Sequence, residues 1–72
     1  MISKKIGYFL TLADNLNFTQ TASVHGVSQT AISQYIASLE DKLGVKLFER
    51  NQHSVYLTDA GRYFYSRAVM LV

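Results

Sequence analysis

The chain of 72 residues contains no cysteine and no proline, and only four glycines. Without cysteine, neither a disulfide nor a thiolate metal site can brace the fold. No linker, internal repeat or low-complexity segment is visible. No apolar run is long enough to span a bilayer, so no membrane partner is expected. The start of the chain is short and charged, but Asp14 and other polar residues interrupt it and no small-residue cleavage site follows. A cytoplasmic protein is therefore expected. The residue sets that carry catalysis are missing as well. His25 and His53 stand in different elements, with no Asp or Glu at a metal-ligand spacing. Ser28, Ser33 and Ser38 lack a base-and-orienter set. Gly26, Gly44 and Gly61 are dispersed punctuation with no phosphate-cradling loop. An enzyme is not expected, nor a metal or a cofactor.

What is present is one small domain. Apolar residues make up 49% of the chain, too many for a disordered segment. A domain this short builds a thin core and is marginal without a partner. The formal net charge is +2, a weak hint of an anionic partner.

The stretch 28–44, SQTAISQYIASLEDKLG, organises the rest. Ser28 is a good helix N-cap and Gly44 a good C′ residue. Ile32, Ile36, Leu39 and Leu43 recur at i, i+4, i+7 and i+11, one apolar stripe for the core. The opposite face carries Thr30, Gln34 and Ala37, flanked by Gln29 and Ser33. It is short, uncharged and rich in hydrogen-bonding groups, where a generic solvated face would carry Lys and Glu. Either something is read there or it is plain polar surface.

Upstream, Ile2, Ile6, Phe9, Leu10, Ala13 and Leu16 share a face, predicting a first helix over 2–16. Lys4 and Lys5 near its start oppose the helix dipole. They are ordinary surface lysines or contacts to a phosphate backbone. Asn17 with Gln20 forms a capping box, and a short second helix runs from Phe18 to His25. Gly26 ends it. A short helix, a tight turn and a longer capped helix make a helix-turn-helix.

Downstream, residues 45–49 and 54–57 read as two short strands joined by the polar tip 50–53, a hairpin. Thr58 caps a last helix with Asp59 in its first turn. Ala60, Phe64, Ala68 and Leu71 lie along one side of it, with Val69 and Val72 beside them.

The predicted architecture is mainly α: a winged helix-turn-helix of three helices and a two-stranded wing over 1–58, followed by a helix over 59–72. The chemistry of such a domain suits double-stranded DNA. The recognition helix enters the major groove with its N-terminal residues on base edges. Gln pairs with adenine, Ser and Thr bond either base type, and a Thr methyl meets a thymine methyl. Ser28, Gln29, Thr30, Ser33 and Gln34 are the candidate readers. Arg50, Asn51, Gln52 and His53 on the wing, with Lys4 and Lys5, are candidates for phosphate or the minor groove.

These residues resemble the N-terminal domain of LysR-type transcriptional regulators. The matching words are Phe18-Thr19, Ala22, Val27-Ser28-Gln29, Ala31-Ile32-Ser33, Ile36, Leu39-Glu40, Leu43-Gly44-Val45, Leu47-Phe48-Glu49-Arg50 and Leu57-Thr58-Asp59-Ala60-Gly61, with Tyr8-Phe9 in the first helix. The resemblance covers essentially the whole chain. It implies a bacterial regulator, located on the nucleoid, that binds an interrupted palindrome as a homodimer. It also implies a large C-terminal effector-binding domain, which is expected to be absent here. No small-molecule site is therefore expected here, and 59–72 is read as the start of a linker and dimerisation helix. Phe64, Ala68, Leu71 and Val72 are the expected dimer contacts.

Three departures stand out. Thr30 replaces the family's usual Pro, Gln34 its usual Arg, and His53 a frequent basic wing residue. Weaker non-specific binding and an altered base preference follow. His25 stands where the family has a buried Leu, and is expected to be a partly buried neutral histidine bonded to a backbone group. The competing reading is a winged helix that binds a protein partner through its apolar last helix. DNA binding predicts a steep loss of affinity with salt, whereas an apolar contact does not.

Overall fold

The computed structural model describes residues 5–71. Ile2, Lys4, Val72 and the side chain of Leu71 lie outside what it describes. The element order is α1 (Ile6–Asn15), α2 (Phe18–His25), α3 (Gln29–Leu43), β1 (Phe48–Arg50), β2 (Val55–Leu57) and α4 (Asp59–Ala68), which runs on into a 3-10 turn at Val69–Leu71. β1 and β2 pair antiparallel, Phe48 opposite Leu57 and Arg50 opposite Val55. This is the winged helix-turn-helix expected from the pattern.

Phe9 is the hub of the core. It is fully buried, as are Leu12 and Ile32. Its ring meets Phe64 of α4 at 5.0 Å and Phe48 of β1 at 5.6 Å, both edge to face, and Tyr65 at 6.4 Å. Such pairs add about 0.5–1.5 kcal/mol each beyond area burial. α1 therefore holds the wing and the last helix together while α2 and α3 close over Ile32 and Ile36.

The caps fall where the sequence puts them. Ser28 accepts from the Ala31 amide, Thr58 from Gly61 and Asn17 from Gln20. The reciprocal half of the capping box at Asn17 is different. The Asn17 amide donates to Asn15 Oδ1, which also accepts from the Thr21 hydroxyl. One asparagine thus closes the α1–α2 corner and satisfies a fully buried Thr21.

Four expectations are corrected. α1 stops at Asn15, and Leu16 takes a left-handed conformation at φ 53° with its side chain partly exposed, not on the core face. That conformation costs a non-glycine residue about 1–2 kcal/mol, and the Leu16 amide recovers part of it by bonding the Leu12 carbonyl. Leu43 is 43% exposed, because the last turn of α3 projects past the core. The first strand is Phe48–Arg50 rather than 45–49, and Val45 is exposed. His25 bonds not a backbone group but the Thr11 hydroxyl, its Nε2 at 2.8 Å from Oγ1, with the Tyr8 ring edge-on at 4.9 Å.

Gly61 shows why α4 begins where it does. A Cβ there would lie 2.1 Å from the Leu47 carbonyl oxygen and 2.8 Å from a Leu57 methyl. The first turn of α4 rests directly on the backbone that enters the wing. Thr58 fastens that contact: its amide donates to Leu47 O at 3.0 Å and its hydroxyl to Lys46 O at 2.7 Å.

Candidate nucleic-acid interface

The helical phase of α3 sorts its side chains into two populations. Ile32 and Ile36 are buried and Leu39 half-buried, while Gln29, Thr30, Gln34 and Ala37 are exposed and Ser33 is half-buried on the flank. The first turns of the outward face thus carry amides, hydroxyls and a methyl, and no charge. Asp41, two turns beyond Gln34, is exposed too. An anion there disfavours phosphate and limits the neutral reading surface to the N-terminal half of the helix. The helix start is also its positive dipole end.

Two of the N-terminal side chains are already engaged. The Ser28 oxygen accepts from Ala31 N at 3.0 Å, which leaves its O–H to donate outward. Gln29 Nε2 donates to Thr19 Oγ1 at 2.6 Å, so α2 holds the Gln29 side chain through its nitrogen and its carbonyl oxygen is left as an acceptor. Thr19 is a contributor that the sequence pattern did not single out. It would need the knowledge that the start of α2 abuts the start of α3.

Cations bracket the presenting face. On one flank Arg50 and Ser33 line a common cleft of about 330 Å³ between α2, α3 and the wing. On the other, Lys5 and Gln34 line a second cleft with Tyr8 and Tyr35. Burial pushes the Tyr35 phenol up from its ordinary pKa, so it stays a neutral hydroxyl there. Lys4 falls outside the described residues.

The wing is shaped from within. Asn51 Oδ1 accepts from the amides of His53 and Ser54, at 2.8 and 2.9 Å, and from the Ser54 hydroxyl. This Asx turn makes the tip without Asn-Gly. The Asn51 oxygen, expected on DNA, is therefore engaged in the turn, while Gln52 and His53 stand exposed at the tip. Arg50 is at the root instead, its guanidinium 4.3 Å over the Phe18 ring.

Glu40 locks wing to helix. Its Oε2 accepts from the amides of Leu47 and Phe48, at 2.7 and 3.2 Å, and its Oε1 lies 3.8 Å from Lys46 Nζ. In the sequence Glu40 stands only within the family word Leu39-Glu40, with no role assigned. In the structure it sets the angle between recognition helix and wing.

On α4, Phe64 packs on Phe9 and Ala68 is 2% exposed. Both face their own core, unlike the partner-facing role expected of them. Among the described side chains of this segment, the large exposed apolar ones are Tyr63, Val69 and Met70. Among the described residues no cluster of His, Cys, Asp or Glu could hold a metal ion.

Comparison with known proteins bears on this arrangement. Residues 3–62 match the model of the bacterial regulatory helix-turn-helix protein, lysR family. The probable cat1 operon transcriptional activator of Acinetobacter lwoffii is 38% identical over 69 residues, which are 96% of this chain and 23% of that protein. The chain thus spans about a quarter of that relative's length. A crystal structure of a LysR-family transcriptional regulator from Eggerthella lenta superposes with a TM-score of 0.87 at 35% identity, over 96% of this chain and 99% of that one. The BenM DNA-binding domain in complex with catB site 1 DNA superposes at 0.89 with 32% identity, over 99% of this chain and 80% of that one.

Proposed function

This chain belongs to the LysR family of bacterial regulatory helix-turn-helix proteins, and we propose that it binds double-stranded DNA sequence-specifically, as the reading head of a transcription regulator. One observation carries this reading: the capped start of α3 presents an uncharged face of Gln29, Thr30 and Gln34, with Arg50 and Lys5 on its two flanks. α3 lies in the major groove, neutral side chains on base edges, and the flanking cations meet the phosphates on either side. The chain acts by binding and not as an enzyme, and it works in the cytoplasm on the nucleoid.

Gln34→Ala is expected to change base preference at one position, at about 1–3 kcal/mol of discrimination. Arg50→Ala is expected to weaken binding to all sequences and to flatten the slope of log affinity against log salt by about one. Anisotropy titrations over a range of salt, on duplexes varied one base at a time, separate the two. The reading fails if Arg50→Ala alters only sequence preference, or Gln34→Ala weakens every duplex equally.

The DNA target is an interrupted palindrome, bound by a homodimer that pairs through α4 and the turn beyond it. Tyr63 and Met70 are 68% and 78% exposed and offer apolar surface there. A two-fold contact would use the same patch on both copies and place the recognition helices on separate half-sites. Sedimentation at micromolar concentration is expected to show a dimer that Met70→Asp weakens. A wild-type chain that stays monomeric throughout would overturn this.

A further inference from the structure

Arg50 ends β1, on the surface, where a long flexible side chain would ordinarily wander. Its guanidinium instead lies over the ring of Phe18, the first residue of α2, 4.3 Å from the ring centre. We propose that Phe18 is a positioning residue for DNA binding: its ring is a platform that holds Arg50 against the start of α2 and aims it at a backbone phosphate beside the groove that α3 enters. This rests on the DNA reading above and adds to it a residue with no polar atom.

The chemistry of the contact supports the role. A guanidinium carries its five N–H donors in its plane and none on its faces. Phe18 lies against the guanidinium carbon and has no oxygen to compete for those donors, so they stay available. A phosphate takes them in bidentate fashion. The ring also restricts the rotamers of Arg50 before DNA arrives, so less freedom is lost on binding.

The surroundings favour a phosphate over an internal partner. Among the described residues no carboxylate forms an ion pair with Arg50. Glu40 borders the same cleft, but its oxygens are held by the Leu47 and Phe48 amides and face Lys46. Glu49 borders the cleft as well, with no ion pair to Arg50. Ser33, on the flank of α3, lines this cleft with Arg50. The guanidinium is therefore beside the recognition helix. That chooses a phosphate flanking the major groove over the minor groove beyond the wing tip.

The test is a double-mutant cycle read by DNA affinity. The wild-type chain, Phe18→Leu, Arg50→Ala and the double variant are titrated onto one mixed-sequence duplex over a range of salt. Circular dichroism first establishes the temperature below which each is folded. Phe18→Leu is expected to bind about threefold more weakly than wild type, the worth of an exposed cation–π contact. In the Arg50→Ala background the same substitution is expected to cost nothing further. A Phe18 that acts only by packing would weaken binding equally in both backgrounds, and that result overturns the proposal. Arg50→Lys asks the question without touching the core, should Phe18→Leu melt too low. Charge is kept and the planar guanidinium over the ring is lost, so affinity is expected to fall with the salt slope unchanged. Wild-type affinity in Arg50→Lys would overturn the proposal too. A wild-type chain that does not bind the duplex at all would overturn the DNA reading, and this inference with it.

Discussion

Gly61→Ala is expected to destabilise the domain by about 3 kcal/mol or more, the top of the range for overpacking. The new methyl would sit 2.1 Å from the Leu47 carbonyl oxygen. Neither side has an easy way to yield. Leu47 O accepts the Thr58 amide, Thr58 Oγ1 bonds Lys46 O, and the Leu47 amide is held by Glu40. Moving α4 outward breaks the bonds of Thr58, and moving Leu47 breaks the tie of wing to recognition helix. A domain of this size has a total stability of roughly 4–10 kcal/mol. Urea or thermal unfolding would therefore show a domain that has lost a large share of its stability, with a melting point lower by on the order of 15 °C. A loss under about 1 kcal/mol would mean that the first turn of α4 does not rest on Leu47. The glycine is needed here for close approach, since its backbone is ordinary helix.

Phe9→Ala is expected to cost as much or more, about 3–5 kcal/mol. Phe9 is fully buried and touches rings from β1 and α4 on either side. Its loss opens a cavity where three elements meet, and a thin core has little with which to refill it. Unfolding by denaturant, followed by far-ultraviolet circular dichroism, checks this. DNA binding should disappear only as the folded fraction does, because Phe9 is remote from the presenting face of α3. Full stability in Phe9→Ala would remove Phe9 from its place as the hub.

Much of this fold was legible in the sequence, for identifiable reasons. The caps at Asn17, Ser28 and Thr58 are local: a side chain bonds an amide three residues on, and no distant contact is needed. The phase of α3 was legible because Ile32 and Ile36 lie in the middle of a long periodic run. The same stripe failed at its end, where Leu43 leaves the core behind, and the apolar face of α1 failed likewise at Leu16. Periodicity reports direction, not depth. Leu12 was missed for the converse reason. It falls beside the stripe drawn through Phe9 and Ala13, and only the packing of α1 against its neighbours shows it fully buried.

The first strand begins three residues later than residues 45–49 predict, because Val45-Lys46-Leu47-Phe48 alternates like a strand before the ladder starts. Glu40 captures the amides of Leu47 and Phe48, a tertiary bond that no local pattern announces. The interface divides in the same way. Gln29, Thr30, Ser33 and Gln34 were legible as a face of one helix. Thr19 beside Gln29, and Phe18 beneath Arg50, come from elements that meet only in space.

Whether α3 reads DNA sequence is decided by selection of bound duplexes from a random-sequence pool by the intact chain. An enriched motif is expected, with one enriched position that Gln34→Ala changes while the others persist. A bound pool as random as the input, or a motif that Gln34→Ala leaves untouched at every position, would contradict a reading role for α3.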